Sequence, residues 1–440
     1  MSQQLLVEGT VSNMTSTEIV KIRGRQILDS RGRPTIEVDV AVAGGATATA
    51  SVPSGSSKGA AEVHELRDES AECYDGYGVT QAIEKINTEL FGVLNGRDAL
   101  DQVDIDARMR DCDGTPRLTR LGGNAVLGVS MAVCRAAALA QQRPLHHWLG
   151  ELARSRQPTL PMPMVSILSG NLHAADGMDV QDFLILPVGA CSFTEALQWA
   201  LRVRKTAADC ADSRGMPALM TDNGALGACF VHGEEALDFL MQAIEQAGLR
   251  PGVDIAIALD IDANVLVASP DRYEFRRAKR SYTSEQLIEL LIGWTRNYPI
   301  VSIEDPLHEE SWEAWRSLTR KLSQIQVVGD TIFSTQPGRI ARGVHAGVAN
   351  AVLVKLNQNG TLSGTLEAIS EARQGGYRTI IAGRLGETED SFIADLAVGV
   401  GAGQIKVGSV RCSERMSKYN QLLRIEERDD VPFAGHAAAH

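Results

Sequence analysis

The stretch 300-IVSIEDPLHEESWEAWRSLTRKLSQIQVVGD-330 places two short apolar runs, one closing on Glu304 and one on Asp330, at either end of an amphipathic segment. A run that is apolar at every position is the pattern of a strand buried on both faces, and a helix-length segment between two such runs is a crossover between parallel strands. The unit repeats downstream in NAVLVKL, RTIIAG and GQIKVG. The residues closing the five runs, Glu304, Asp330, Lys355, Gly383 and Lys406, lie 26, 25, 28 and 23 positions apart, one βα unit per step. DFLILP and AIALDI extend the series upstream. The fold class is α/β, and the expected architecture is a (β/α) barrel, whose catalytic groups come from the C-terminal ends of its strands. An open doubly wound sheet is the alternative layout, but no GxGxxG turn follows a first strand to mark a dinucleotide site.

Ahead of the barrel the texture changes. IVKIRGRQILD, PTIEVDVAVAGG and ATATASVPSG alternate with period two and predict a three-stranded meander. LGGNAVLGVSMAVCRAAALAQQR carries small residues at helical spacing and predicts a helix packed closely on a neighbour. The expected division is a loose leader over 1–17, an α+β cap domain over 18–155 and the barrel over 156–435. Across the 440 residues the formal net charge is -12, which argues against nucleic acid or an anionic membrane as partner. No apolar run reaches the ~18 residues of a membrane span, and seven scattered cysteines without a CxxC pair read as reduced thiols, so the cytoplasm is the expected compartment.

Three carboxylates close three of the runs: Asp260, Glu304 and Asp330. One acidic residue after a strand can be no more than a helix N-cap. Three in register at one mouth repel each other unless a cation joins them, and all-oxygen ligation suits Mg²⁺. Lys355 and Lys406 close two further runs. They can pair structurally with those carboxylates. Alternatively, desolvation lowers a lysine toward the range of a general base, while a second cation holds charge on an enolate-like state. Arg384, just beyond TIIAG, is placed to clamp a phosphate, although a loop arginine can also simply face water.

Over about residues 19–427 the chain resembles the enolase family. The resemblance rests on DSRGRPTIEV, VPSGSSKG, LGGNAVLGVSMAVC, SIEDP, VLVKLNQNGTLS, GETEDSFIADLAVG, GQIKVGS and NQLLRIEE, in matching order. It implies an N-terminal α+β cap, a modified (β/α)8 barrel of the TIM type, Mg²⁺, and a homodimer or multiple of dimers. By this resemblance Asp260, Glu304 and Asp330 hold the metal, with Ser57 helping to hold a second ion. Lys355 is implied as the base, Lys406 as partner of the substrate carboxylate, and Arg384 as the phosphate clamp, while His173 and Gln181 match the family in residue type.

Departures cluster at the same positions. The family's glutamate in DEGG is Asn223 in 222-DNGA-225, and the glutamate of QEF is Asp182 in 181-QDF-183. An asparagine cannot supply a proton, and a side chain one methylene short displaces the group by about 1 Å. The family's His-Arg-Ser becomes Gly383-Arg384-Leu385, and a threonine becomes Lys58. These changes carry the expectation of a roomier phosphate pocket and altered chemistry on a 2-phosphoglycerate or phosphoenolpyruvate type of substrate: phosphonoformyl transfer from a CMP-linked donor, as in carboxyphosphonoenolpyruvate synthase. Asn223, Lys58, Gln181, Arg384 and Lys406 would bind the substrate, a phosphate ester or phosphonate, and Asp182 and His173 would join Lys355 and Lys406 in catalysis. The alternatives are ordinary phosphopyruvate hydratase activity, with the acid rerouted through Asp182, and an inactive scaffold.

Overall fold

The computed structural model describes residues 16–435, apart from 56–58, 156, 175–176, 218 and 270. Its N-terminal part is built on the expected meander: β1 (Ile19–Leu28), β2 (Pro34–Val42) and β3 (Thr47–Ser51) form an antiparallel sheet in the order β1-β2-β3. The helix Gly123–Ala140 lies on β2 and β3 and is buried along nearly its whole length. Small residues make this approach possible: a Cβ at Gly128 would stand 2.8 Å from Val38 Cγ2. Among the described residues this is the one helix long and apolar enough to cross a membrane, and its apolar surface is instead consumed by the core.

Eight strands close a barrel in the order β10-β11-β12-β13-β14-β4-β5-β6. They are β4 (Met162–Ser169), β5 (Asp182–Leu186), β6 (Ala256–Asp260), β10 (Ile300–Glu304), β11 (Gln326–Gly329), β12 (Ala351–Val354), β13 (Arg378–Ala382) and β14 (Gly403–Lys406). A small antiparallel sheet, β7 (Val267–Ser269), β8 (Arg272–Phe275) and β9 (Arg280–Tyr282), is inserted after β6. Met162, Met164, Leu184, Leu186, Ala258, Val328, Leu353 and Ile380 belong to a compact core of strand residues, distinct from the larger core that includes the helices.

Two expectations change. β4, which the series of apolar runs left out, is a fully buried strand. β5 pairs antiparallel with both β4 and β6, so the barrel is not uniformly parallel. Burial on both faces makes a strand apolar throughout whichever way it runs, so composition carries no sign of its direction.

Candidate active site

The reversal of β5 matters for chemistry. In a parallel strand Asp182, the first residue of β5, would sit at the far end of the barrel from Asp260 and Glu304. Running antiparallel, β5 instead sets Asp182 in register with Asp260, the last residue of β6, and with Ser169, the last of β4. One cleft is therefore lined by Asp182, Asp260, Asp330, Lys355 and Lys406, together with His173, Gln181, Asn223, Arg384 and Leu385. Strand ends supply most of these groups, and pairing of the strands holds them together.

Lys406 Nζ lies 2.6 Å from both Asp260 Oδ2 and Glu304 Oε2, and Lys355 Nζ reaches Asp330 Oδ2. Gln181 Nε2 donates to Asp260 Oδ2 at 3.1 Å, and Gln358 Nε2 to Asp330 Oδ1 at 2.8 Å. Two acids the sequence reading passed over join them. Asp262 lines the cleft with one carboxylate oxygen accepting no hydrogen bond, and Asp305 takes the backbone N–H of Asp330 at 2.9 Å. Asp262 was legible two positions beyond Asp260, and Asp305 directly after Glu304 in SIEDP.

The electrostatics of this set favour a cation. Five carboxylates, Asp260, Asp262, Glu304, Asp305 and Asp330, face two ammonium groups here. Burial, reinforced by the charge of Asp260, pushes Glu304 well above the usual carboxylate range. Burial and the charges of Asp260 and Asp330 lift Asp262 to about 7. A divalent ion among oxygens would relieve this repulsion, and unpartnered oxygens on Asp262 and Gln181 remain to meet it. The donor set thus fits Mg²⁺. Burial alone would lower Lys406, but Asp260 and Glu304 raise its pKa well above the ordinary value, so it stays a fixed positive charge.

The facing wall is neutral amide against acid. Asn223 Nδ2 donates to Asp182 Oδ1 at 3.1 Å, contacts Ser169 Oγ at 3.1 Å and approaches His173 Nδ1 at 3.4 Å. Asn223 Oδ1 accepts from the backbone N–H of Ala225, a group that can only donate, which fixes the amide nitrogen toward Asp182. Ser169 Oγ also donates to Asp182, and His173 Nδ1 stands 3.4 Å from its second oxygen.

Arg384 is buried at the rim, with Nη1 3.1 Å from Glu62 Oε2. Glu62 arrives from the cap domain, 322 positions away, and no local pattern announced it. The cap loop presses against the arginine so closely that a Cβ at Gly55 would fall within 1.9 Å of Arg384 Nη2. The roominess expected at Gly383 is absent. A Cβ there would stand 2.9 Å from Glu387 Oε1, which accepts the Arg384 N–H at 2.8 Å, while Lys418 Nζ holds the other oxygen of Glu387 at 2.8 Å. Arg415 binds the carbonyls of Arg384 and Leu385 and so shapes the same turn. Ser57 and Lys58 lie outside the described residues.

Comparison with known proteins bears on the chemistry. The family model for the enolase N-terminal domain matches residues 19–149, and that for the enolase C-terminal TIM barrel domain matches residues 157–440. The proteins named Enolase from Tropheryma whipplei strains Twist and TW08/27 are each 46% identical to the chain over 411 residues, 93% of this chain and 95% of theirs. These matches overturn the expected phosphonoformyl transfer, and the CMP-linked donor goes with it: the departures at Asn223, Asp182 and Gly383 occur in a chain whose relatives are named enolases. Enzymes of this family use Mg²⁺, in keeping with the carboxylate set. With both domains matched and the cleft assembled at the strand ends, the chain belongs to the enolase family.

Proposed function

We propose that the protein is a phosphopyruvate hydratase, reversibly removing water from 2-phosphoglycerate to give phosphoenolpyruvate, in the cytoplasm and as a dimer-based assembly. The observation that supports this most is the opposition, across one cleft, of the Lys355 and Lys406 wall to the Asp182–Asn223–His173 wall. Mg²⁺ held by Asp260, Glu304 and Asp330 would supply positive charge against the substrate carboxylate as it gains a second negative charge. Lys406 adds a fixed charge to the same region. Lys355 takes the proton from the carbon bearing phosphate. The carbon–oxygen bond to the hydroxyl then breaks, the carbon–carbon double bond forms, and the hydroxyl leaves as water with a proton from Asp182. Asn223 cannot give that proton, but its N–H fixes Asp182, and Ser169 and His173 hold the carboxyl from its other sides. Arg384 would receive the phosphate in exchange for Glu62.

Purified protein with Mg²⁺ and 2-phosphoglycerate is expected to show the ultraviolet absorbance rise of phosphoenolpyruvate. Lys355→Ala should lower the turnover ~10²–10⁴-fold, the range of a lost acid–base group. A wild-type protein that binds Mg²⁺ yet forms no phosphoenolpyruvate would refute the assignment.

A further inference from the structure

A second cluster of metal-ligating side chains lies away from this cleft. The helix Leu145–Leu152 carries adjacent imidazoles, His146 and His147, and the helix Ser413–Arg428 ends at Asp429. Ligand atoms of His146, His147 and Asp429 all lie within 4.8 Å of one another. His146 Nε2 is 3.3 Å from Asp429 Oδ2, and its Nδ1 is 3.7 Å from Asp395 Oδ1, an oxygen that also accepts from Gln421 Nε2 at 3.2 Å. The His146 side chain is only 3% exposed, and its Nε2 makes no hydrogen bond. A buried imidazole nitrogen without a hydrogen bond, close to a second imidazole and a carboxylate, has the chemistry of a metal ligand.

We propose that His146, His147 and Asp429 form a binding site for a divalent transition metal of the zinc type, separate from the Mg²⁺ cleft. Two imidazoles and one carboxylate suit Zn²⁺ and its neighbours, whereas Mg²⁺ favours oxygen alone, so the site does not compete for the catalytic ion. Asp395 Oδ1 stands behind the Nδ1 of His146 at 3.7 Å, too far for a hydrogen bond, and adds negative charge beside the imidazole. The C-terminal end of the Ser413–Arg428 helix adds its own partial negative charge. The site opens on a cleft of about 450 Å³, which leaves a coordination position for water. Four arginines among the described residues line that cleft: Arg135 and Arg143 pair with Asp390 and Glu151, while Arg424 and Arg428 are exposed, so that solvent screens their charge at the site. A bound ion would pin a helix of the cap to the last helix of the barrel.

The test uses tag-free protein in saturating Mg²⁺, titrated with Zn²⁺ in a calorimeter and with Co²⁺ followed by its visible absorption. The wild type should bind one equivalent with the spectrum of imidazole-ligated, low-coordinate Co²⁺. His147→Ala and Asp429→Asn, both at partly or fully exposed positions where the fold should tolerate change, should each weaken that equivalent at least tenfold, with turnover in Mg²⁺ unaltered. Either of two results overturns the proposal: no imidazole-ligated Co²⁺ spectrum on the wild type, or the same stoichiometry and affinity in all three proteins. In both cases His146 is only a structural ion-pair partner of the two aspartates.

Discussion

At Asn223 a carboxamide occupies the position from which Ser169, His173 and Asp182 are all within hydrogen-bond reach. Its chemistry was legible in the DNGA motif; its orientation was not, because Ala225 and Thr221 fix it through the local turn. Asn223→Asp would replace the donor by an oxygen beside Asp182. Two like charges so close repel, which displaces the Asp182 carboxyl; if Asp182 delivers the proton, kcat should fall about 10²-fold, and an unchanged kcat would exclude it from that role. Gly383 teaches the opposite lesson. Its absent side chain reads as vacant space in the sequence, yet Glu387 fills the space and holds Arg384 there. Gly383→His should therefore weaken folding by roughly 1–3 kcal/mol, as overpacking does, and raise KM for the phosphate ester. Chemical denaturation and steady-state kinetics on the single variant decide it, and an unchanged midpoint with improved turnover would contradict the packing argument.

Among elements, the tie between cap and barrel is the clearest case of packing that sequence spacing could not reveal. Arg135, in the helix Gly123–Ala140, meets both oxygens of Asp390 at 2.6 and 2.8 Å, and Asp390 also accepts the Ser51 N–H of β3 at 2.9 Å. Burial would raise the Asp390 pKa, but the charge and hydrogen bonds of Arg135 bring it below the ordinary 3.8. A depressed carboxylate stabilises the fold fully above its unfolded value and loses that contribution as pH falls through the folded one. Arg135→Met, which strands the buried Asp390, should cost roughly 3–5 kcal/mol at neutral pH. The deficit relative to wild type should shrink as the pH falls, beginning above the ordinary 3.8, because burial without Arg135 raises the Asp390 carboxyl in the variant and it takes up a proton there first. Urea unfolding at pH 7 and pH 3 provides the comparison, and a deficit independent of pH would assign the loss to packing alone.

For the whole molecule, the crowded carboxylates make metal content a determinant of stability. Asp262, raised to about 7, retains a proton in the metal-free fold that the unfolded chain has released above its ordinary 3.8. Metal-free protein should accordingly lose stability as pH rises from about 4 to 7. Mg²⁺ at a hundred times its Kd at pH 7 should restore about 2.7 kcal/mol there, and the same concentration should restore less at pH 5, where Asp262 holds its proton. Thermal melts with Mg²⁺ and with a chelator test this, and equal gains at the two pH values would remove Asp262 from the ion's surroundings. The sequence by itself determined the α/β class, the cap meander and the acids and lysines closing the strands, because burial and strand periodicity leave local signatures. Only the tertiary structure decided the direction of β5, the arrival of Glu62 at Arg384 and the filling of Gly383 by Glu387. Each of these is a contact between residues whose meeting depends on chain path, and a buried apolar run or an isolated glycine reads the same whichever partner the path brings to it.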